Sequence, residues 1–473
     1  MWGGSRIPFV SPTFLFVFLP ACVAIYFAAR GMRLRNGVLL GASWLFYAWG
    51  EPAYFLLMLA VTAFNYAAAI QIEQRDGASR KIALAATVAV NLTTLAIFKY
   101  AGFVALSLNA LLEPVHASLP VPHIELPLGI SFFTFHALSY VIDVYRRRFS
   151  ANRDFPQVAL YIALFPQLIA GPIVRYKSIA KRLAKRRHSL GRASAGLRIF
   201  VIGLAQKLLI ADALAPVANA VFDHAERPGL AEAWLGAAAY ALQIYFDFAG
   251  YSTMAVGLGV VFGFSLPRNF RRPYASASIT EFWRRWHISL STWFRDYLYI
   301  PLGGNRGPRW AVWRNLVVVF LLCGLWHGAS WTFVLWGAWH GAFLVLERAG
   351  LGAVLRRFPR PLAWLYALVA VMFGWVLFRG NDLANTFDIW RGMVGGHPSA
   401  EFGRHAAAVL TPQIAWLMPL AALLAVFGLA LPRTPRFSAP RMWADNLAVA
   451  GLLALSLLQV AAGTYSPFLY FRF

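Results

Sequence analysis

Two histidines, His327 and His340, stand in the otherwise apolar stretch CGLWHGASWTFVLWGAWHG, each inside the letters WHGA. A neutral imidazole is the side chain best suited to take a proton near pH 7, and burial favours that neutral form. Gly324 and Gly328 leave room beside His327 for a second backbone or a substrate. A ring that merely bonds a carbonyl fits the same letters, and the residues alone leave both readings open. If 325–346 were one helix, the thirteen residues from His327 to His340 would give about 220° of rotation and ~20 Å of rise. The two rings are then expected at different depths, with at most one of them central.

The densest polar group is TEFWRRWHISLSTWFRDYLYIPLGGNRG, which carries Glu281, Arg284, Arg285, His287, Arg295, Asp296, Asn305 and Arg306. Glu281 can pair with Arg284 or Arg285 at helical spacing. A surface amphipathic helix and a buried polar site both accommodate this composition. Asp247 in YFDFAGYS and His136 and Asp143 in GISFFTFHALSYVIDVYRRR lie inside apolar runs. Ionisable groups at membrane depth are costly and mark sites, pathways or helix-holding pairs. Pairing with an arginine is the expectation for Asp143, while Asp247 is open between a pair and a site.

The elements that must position these residues are written in the composition. The chain has 473 residues, 59% hydrophobic and 13% charged, against about 25% charged in an average soluble domain. Runs near the roughly 20 residues of a spanning helix fall at 11–29, 52–72, 82–110, 200–222, 233–264, 361–378, 406–431 and 446–463. Shorter or interrupted runs occupy 37–49, 126–145, 156–173, 287–302 and 316–346. The expectation is an all-α polytopic membrane protein, one domain over 1–473, with about 10–12 membrane segments. The first run lacks an A-x-A cleavage pattern and reads as a retained helix. Cys22 and Cys323 both sit in apolar runs, which argues against a disulfide framework or a cysteine metal site.

The net charge of +24 would suggest nucleic acid in a soluble protein. Here the basic residues cluster between apolar runs, as the positive-inside bias of cytoplasmic loops requires, and nucleic acid is excluded. No Lys or Arg occurs between Lys99 and Arg146, so that segment is expected to face outward, and the N-terminus with it. Arg314 and Arg348 both look cytoplasmic, yet only 33 residues separate them. Two full passes would need about 40 apolar residues, so a broken or re-entrant hairpin is expected there. FPQLIAGPI, within 156–173, carries two prolines and a glycine and is expected to be broken too.

The sequence resembles the membrane-bound O-acyltransferase (MBOAT) family, and within it the bacterial alginate O-acetylation branch. The resemblance is carried by FLFVFLP, SWLFYAW, PLGISFFTFHALSYVIDVYRR, LFPQLIAGPIVRY, YFDFAGYSTMAVGLG, SITEFWRRWHISLSTWFRDYLYIPLGGNR, GLWHGASWTFVLWGAWHG, FGWVLFR and PFLYFRF, in order from Phe14 to Phe473. It implies the MBOAT fold, with broken helices around a central buried polar site. The family's characteristic histidine falls on His327 and its frequent upstream partner on His287. His340 belongs to a motif of the branch but not to the catalytic position. After YFDFAGYS the branch often continues with Asp where this chain has Thr253, which leaves the polysaccharide open.

The resemblance further implies transfer of acetyl from cytoplasmic acetyl-CoA across the inner membrane to a secreted polysaccharide. A periplasmic SGNH-type acetyltransferase and the polysaccharide synthesis and export machinery would be its partners. No metal or bound cofactor is expected. His327 would act as general base, with His287 or Asn305 orienting the acceptor or stabilising the oxyanion. Trp326 and Asp247 would support the site, and the pairs Glu281–Arg284 and Arg295–Asp296 would hold it together. D-alanyl transfer to teichoic acid, a secondary transporter, and a non-catalytic scaffold of an export complex are the alternatives.

Overall fold

The apolar runs form helices, and no strand occurs among the described residues. The computed structural model describes residues 8–398, 403–428, 439–463 and 465–469. The last four residues of PFLYFRF lie outside them. Seven helices are long and apolar enough to cross a membrane, and Thr13–Ala28, Ile130–Tyr145 and Pro412–Phe427 are shorter apolar helices. The described residues form two compact units, Met1–Phe200 with Met254–Pro267, and Val201–Thr253 with Arg268–Phe473.

The first unit contains α1 (Thr13–Ala28), α2 (Met32–Gly50), α3 (Pro52–Gln74), α4 (Gly77–Leu112) and α5 (Ile130–Tyr145). The segment FPQLIAGPI breaks as expected. α6 (Phe155–Ala163) stops at Leu164, α7 (Phe165–Leu168) is a single turn, and irregular backbone follows before α8 (Tyr176–Ala184). This backbone is buried, so its polar groups need partners inside the protein. Val174 N–H donates to Nε2 of the buried His136 at 3.2 Å, and Tyr161 Oη donates to Val174 O at 2.9 Å. His136 is thus an anchor for a broken helix. Asp143 pairs with Arg148 at 3.1 Å, the arginine partnership its position suggested.

Just before this unit's basic 190s, Arg35 Nη1 donates to His188 Nδ1 at 3.0 Å. That leaves the proton on Nε2, which lies 2.7 Å from Tyr26 Oη. Burial, together with Arg35 and Arg186, holds His188 below the usual histidine range.

α9 (Leu190–Phe222) and α10 (Leu230–Val261) contribute residues to both units. The second unit adds the short α11 (Ile279–Arg285) and α12 (Ile288–Phe294), then α13 (Arg309–His327) and α14 (Trp331–Leu346). α15 (Arg360–Arg379), α16 (Leu383–Met393), α17 (Arg404–Val409), α18 (Pro412–Phe427) and α19 (Ala439–Ala461) complete it.

The broken hairpin expected between Arg314 and Arg348 is α13 and α14. α13 reaches back to Arg309, so it carries Arg314 on its second turn instead of beginning after it. The two helices meet backbone to backbone: a Cβ on Gly324 would lie 2.2 Å from Phe333 O, and one on Gly337 would lie 2.3 Å from Phe320 O. The continuous helix over 325–346 does not form, because Gly328 is extended and the helix restarts at Trp331.

Candidate functional site

His327 is the last residue of α13. Its Nδ1 lies 2.7 Å from the carbonyl oxygen of Cys323, one turn earlier. A carbonyl can only accept, so Nδ1 carries the proton and Nε2 is the basic nitrogen of the neutral ring. The ring is boxed by Trp326 at 5.0 Å, Trp336 at 4.9 Å and Phe378 at 5.4 Å, all edge-on.

The break after His327 overturns the expected separation of the two WHGA histidines. Trp336 on α14 lies 4.9 Å from the His327 ring and 5.0 Å from the His340 ring. Residues 328–330 are not helical, so the rotation of one continuous helix is not carried from His327 to His340. His340 is fully buried, its ring between Trp283 at 5.2 Å and Phe282 at 6.3 Å. Neither of its ring nitrogens has a hydrogen-bond partner among the described residues. A Cβ on Gly374 would come within 2.9 Å of its Nε2, so glycine there makes the ring's place.

His287 stands between α11 and α12 with φ +41°, a left-handed conformation that histidine adopts more readily than most non-glycine residues. Its buried ring meets Phe248 edge-on at 4.6 Å and Trp326 at 6.1 Å. The three histidines therefore form a series with tryptophans between them: His287, Trp326, His327, Trp336, His340. Trp326 lies between the His287 and His327 rings.

The remaining expected residues divide. Glu281 pairs with Arg285 rather than Arg284, which is exposed. Both spacings share a helix face, and the carboxylate takes the i,i+4 guanidinium while Arg284 stays exposed. Glu281 Oε2 also accepts from Ala277 N–H at 2.8 Å, and Ser278 Oγ accepts from Glu281 N–H at 3.0 Å, a reciprocal cap for α11. Arg295 and Asp296 pair at 2.6 Å, with Arg295 on the surface. Asn305 is exposed in the glycine-rich loop and accepts from Tyr299 Oη at 2.6 Å. It is not brought to the histidines, because Gly303, Gly304 and Gly307, all at positive φ, turn that loop as a surface feature of its own.

Asp247 is buried and its partner is Lys207, at 2.6 Å. Lys207 also pairs with Asp212 at 2.6 Å. The close approach is made by Gly250, where a Cβ would lie 2.8 Å from Gly203 O. Ser466 Oγ donates to Asp212 Oδ1 at 2.5 Å and Leu469 N–H to Asp247 Oδ2 at 2.9 Å, tying the end of the described chain to this cluster. Phe468 then packs on Phe248, the ring that abuts His287, at 6.2 Å.

Sequence reasoning missed Lys207, Asp212, Trp336 and Glu347. A signal existed for the first two: a lysine and an aspartate five residues apart inside an apolar run. Trp336, His340 and Glu347 also share one helical face by their spacing of four and seven.

The membrane-bound O-acyltransferase (MBOAT) family matches residues 56–389 of the chain. The chain is 42% identical to the probable alginate O-acetylase AlgI of Azotobacter vinelandii, over 98% of this chain and all of that one. It is 34% identical to a peptidoglycan O-acetyltransferase of Helicobacter pylori, over 98% and 97% of the two chains. A teichoic acid D-alanyltransferase of Bacillus subtilis is 29% identical over only 43% of this chain and 54% of its own. With its family match, its full-length relatives and its apolar helices, the chain belongs to the membrane-bound O-acyltransferases and is a multi-pass membrane O-acyltransferase.

Proposed function

We propose that this protein moves an acetyl group from cytoplasmic acetyl-CoA across the inner membrane for O-acetylation of a secreted polysaccharide of the alginate or cellulose kind. In this reading a periplasmic acetyltransferase of the SGNH type is the partner that completes delivery. The observation that carries the chemistry is the Nδ1–H bond of His327 to Cys323 O, which fixes the tautomer with a basic Nε2. Full-length similarity to proteins named as acetylases supports acetyl as the group, and the partial match to a D-alanyltransferase makes D-alanyl the weaker choice.

His327 Nε2 takes the proton of the acceptor hydroxyl as that oxygen attacks the thioester carbonyl. The carbon–sulfur bond breaks, and the imidazolium returns its proton to the departing thiolate. General base catalysis of this kind contributes about 10²–10⁴-fold. His287, one tryptophan away, orients the acceptor or steadies the oxyanion. Asn305 is left out of this mechanism because it lies on the surface.

The test is acetyl content of the secreted polysaccharide in a deletion strain complemented with wild type, His327→Ala or His340→Ala, with membrane levels compared by blotting. His327→Ala should reach the membrane at wild-type level and restore no acetyl, while His340→Ala should restore part. Full acetylation with His327→Ala would refute the mechanism and favour a scaffold or transporter.

A further inference from the structure

We propose that Glu347 is a positioning residue for His287, acting through α11. The inference rests on the reading of His287 as part of the acyl-transfer site and adds to it a residue on another helix.

α11 has seven residues, far too short to be stable alone. Its N-terminal N–H groups have no partner within the helix. Glu347, at the end of α14, supplies most of what is missing. Its Oε1 accepts from Ile279 N–H at 2.6 Å, and its Oε2 accepts from Thr280 N–H at 2.9 Å and Thr280 Oγ at 2.6 Å. Ser278 Oγ takes the next, Glu281 N–H. Tyr366 Oη on α15 donates to Glu347 Oε1 at 3.2 Å. The carboxylate is buried, receives four hydrogen bonds and has no cationic partner among the described residues. Its charge instead faces the positive end of α11.

The far end of α11 is anchored independently. Arg271 N–H donates to Arg285 O at 2.9 Å. Beyond His287, Ile288 N–H donates to Asn269 O at 2.9 Å and Ser289 N–H to Asn269 Oδ1 at 3.2 Å. His287 is thus held in its left-handed conformation between the Arg271–Arg285 bond and the Asn269 bonds, while Glu347 fixes the opposite end of the short helix that leads into it. Glu347 also fixes the face of α11 that bears Phe282 and Trp283, the rings against His340.

A carboxylate is required because both oxygens must accept. In Glu347→Gln one becomes an amide NH₂ that opposes a backbone N–H at the helix end, while size is kept. In Glu347→Asp the acceptors survive but fall one methylene short. Neither change touches an acceptor hydroxyl or a thioester.

Full-length protein in lipid nanodiscs would be assayed for initial rates of acetyl-CoA consumption with acceptor, alone and in a His287→Asn background. Glu347→Gln should lower kcat by about ten- to a hundredfold, the scale of an ångström-sized misplacement, with KM for acetyl-CoA within about twofold. Glu347→Asp should fall between it and wild type. In the His287→Asn background, Glu347→Gln should cost less than about twofold more, since residues acting through one another are not additive. The same full loss in both backgrounds, or a loss confined to protein level and melting temperature, would overturn the proposal. So would full activity of His287→Asn beside an inactive Glu347→Gln, and that outcome leaves the acyl-transfer reading and His327 intact.

Discussion

Lys207 is where a single side chain has most at stake. It sits with Asp212 and Asp247 in a buried cluster whose formal charges sum to −1, one ammonium against two carboxylates. The Ser466 hydroxyl and the Leu469 N–H donate to the carboxylates and supply what the lone cation does not. Lys207→Met should therefore leave two buried carboxylates facing each other and cost about 3–5 kcal/mol, as breaking one partner of a buried pair does. Lys207→Met combined with Asp212→Asn and Asp247→Asn should recover much of that loss. Thermal melts of the detergent-purified protein decide it, and a triple variant no more stable than Lys207→Met would refute the electrostatic account. The aspartate was legible as an anomaly in the sequence, but its partner was not. A lysine forty residues upstream announces no contact, and only the Gly250 approach to Gly203 makes one.

At the scale of elements, the α13–α14 hairpin depends on glycine in a way its loop does not reveal. Gly324 and Gly337 stand where each helix touches a carbonyl of the other. Gly337→Ala should push Phe320 O away and cost about 1–3 kcal/mol or more, seen as a lower melting temperature and less acyl transfer. Gly41→Ala on α2, where no atom lies within 4 Å of the added methyl, should be neutral or stabilising by up to ~1 kcal/mol. Equal effects from the two changes would refute the packing argument.

The need for a broken hairpin could be read from the 33 residues between two basic clusters, because bilayer thickness sets a length that no such segment can meet twice over. The place of the break could not. HGAS contains no proline, and its glycine resembles the others that only serve packing. α11 and α12 were equally hidden, being shorter than the window over which periodicity is felt and secured by Glu347 and Asn269 from elsewhere in the chain. Glu347 itself reads in sequence as the edge of a basic cluster.

For the whole molecule, the distribution of charge predicts an orientation that can be measured. The stretch from Lys99 to Arg146 has no Lys or Arg between its ends, while 175–198 is crowded with them. A membrane-impermeant maleimide should therefore label His123→Cys in intact cells and Arg187→Cys only after permeabilisation; both positions are exposed. Labelling in the reverse order would invert the topology and place the proposed acetyl-CoA entry on the wrong face. The assay is clean because Cys22 and Cys323 are both buried.

The burial of Cys323 has a further use. Its carbonyl holds the His327 proton and its Sγ lies 3.9 Å from the same ring nitrogen, in the residue before Gly324, where the two helices meet. A thiol so enclosed reacts only when the hairpin opens locally, so its alkylation rate by a small permeant reagent is a clock for that opening. Cys22, on α1, is a second buried thiol whose rate can be read alongside. His327 thus comes with its own native reporter of how often the protein lets go of it, one turn away and needing no engineering.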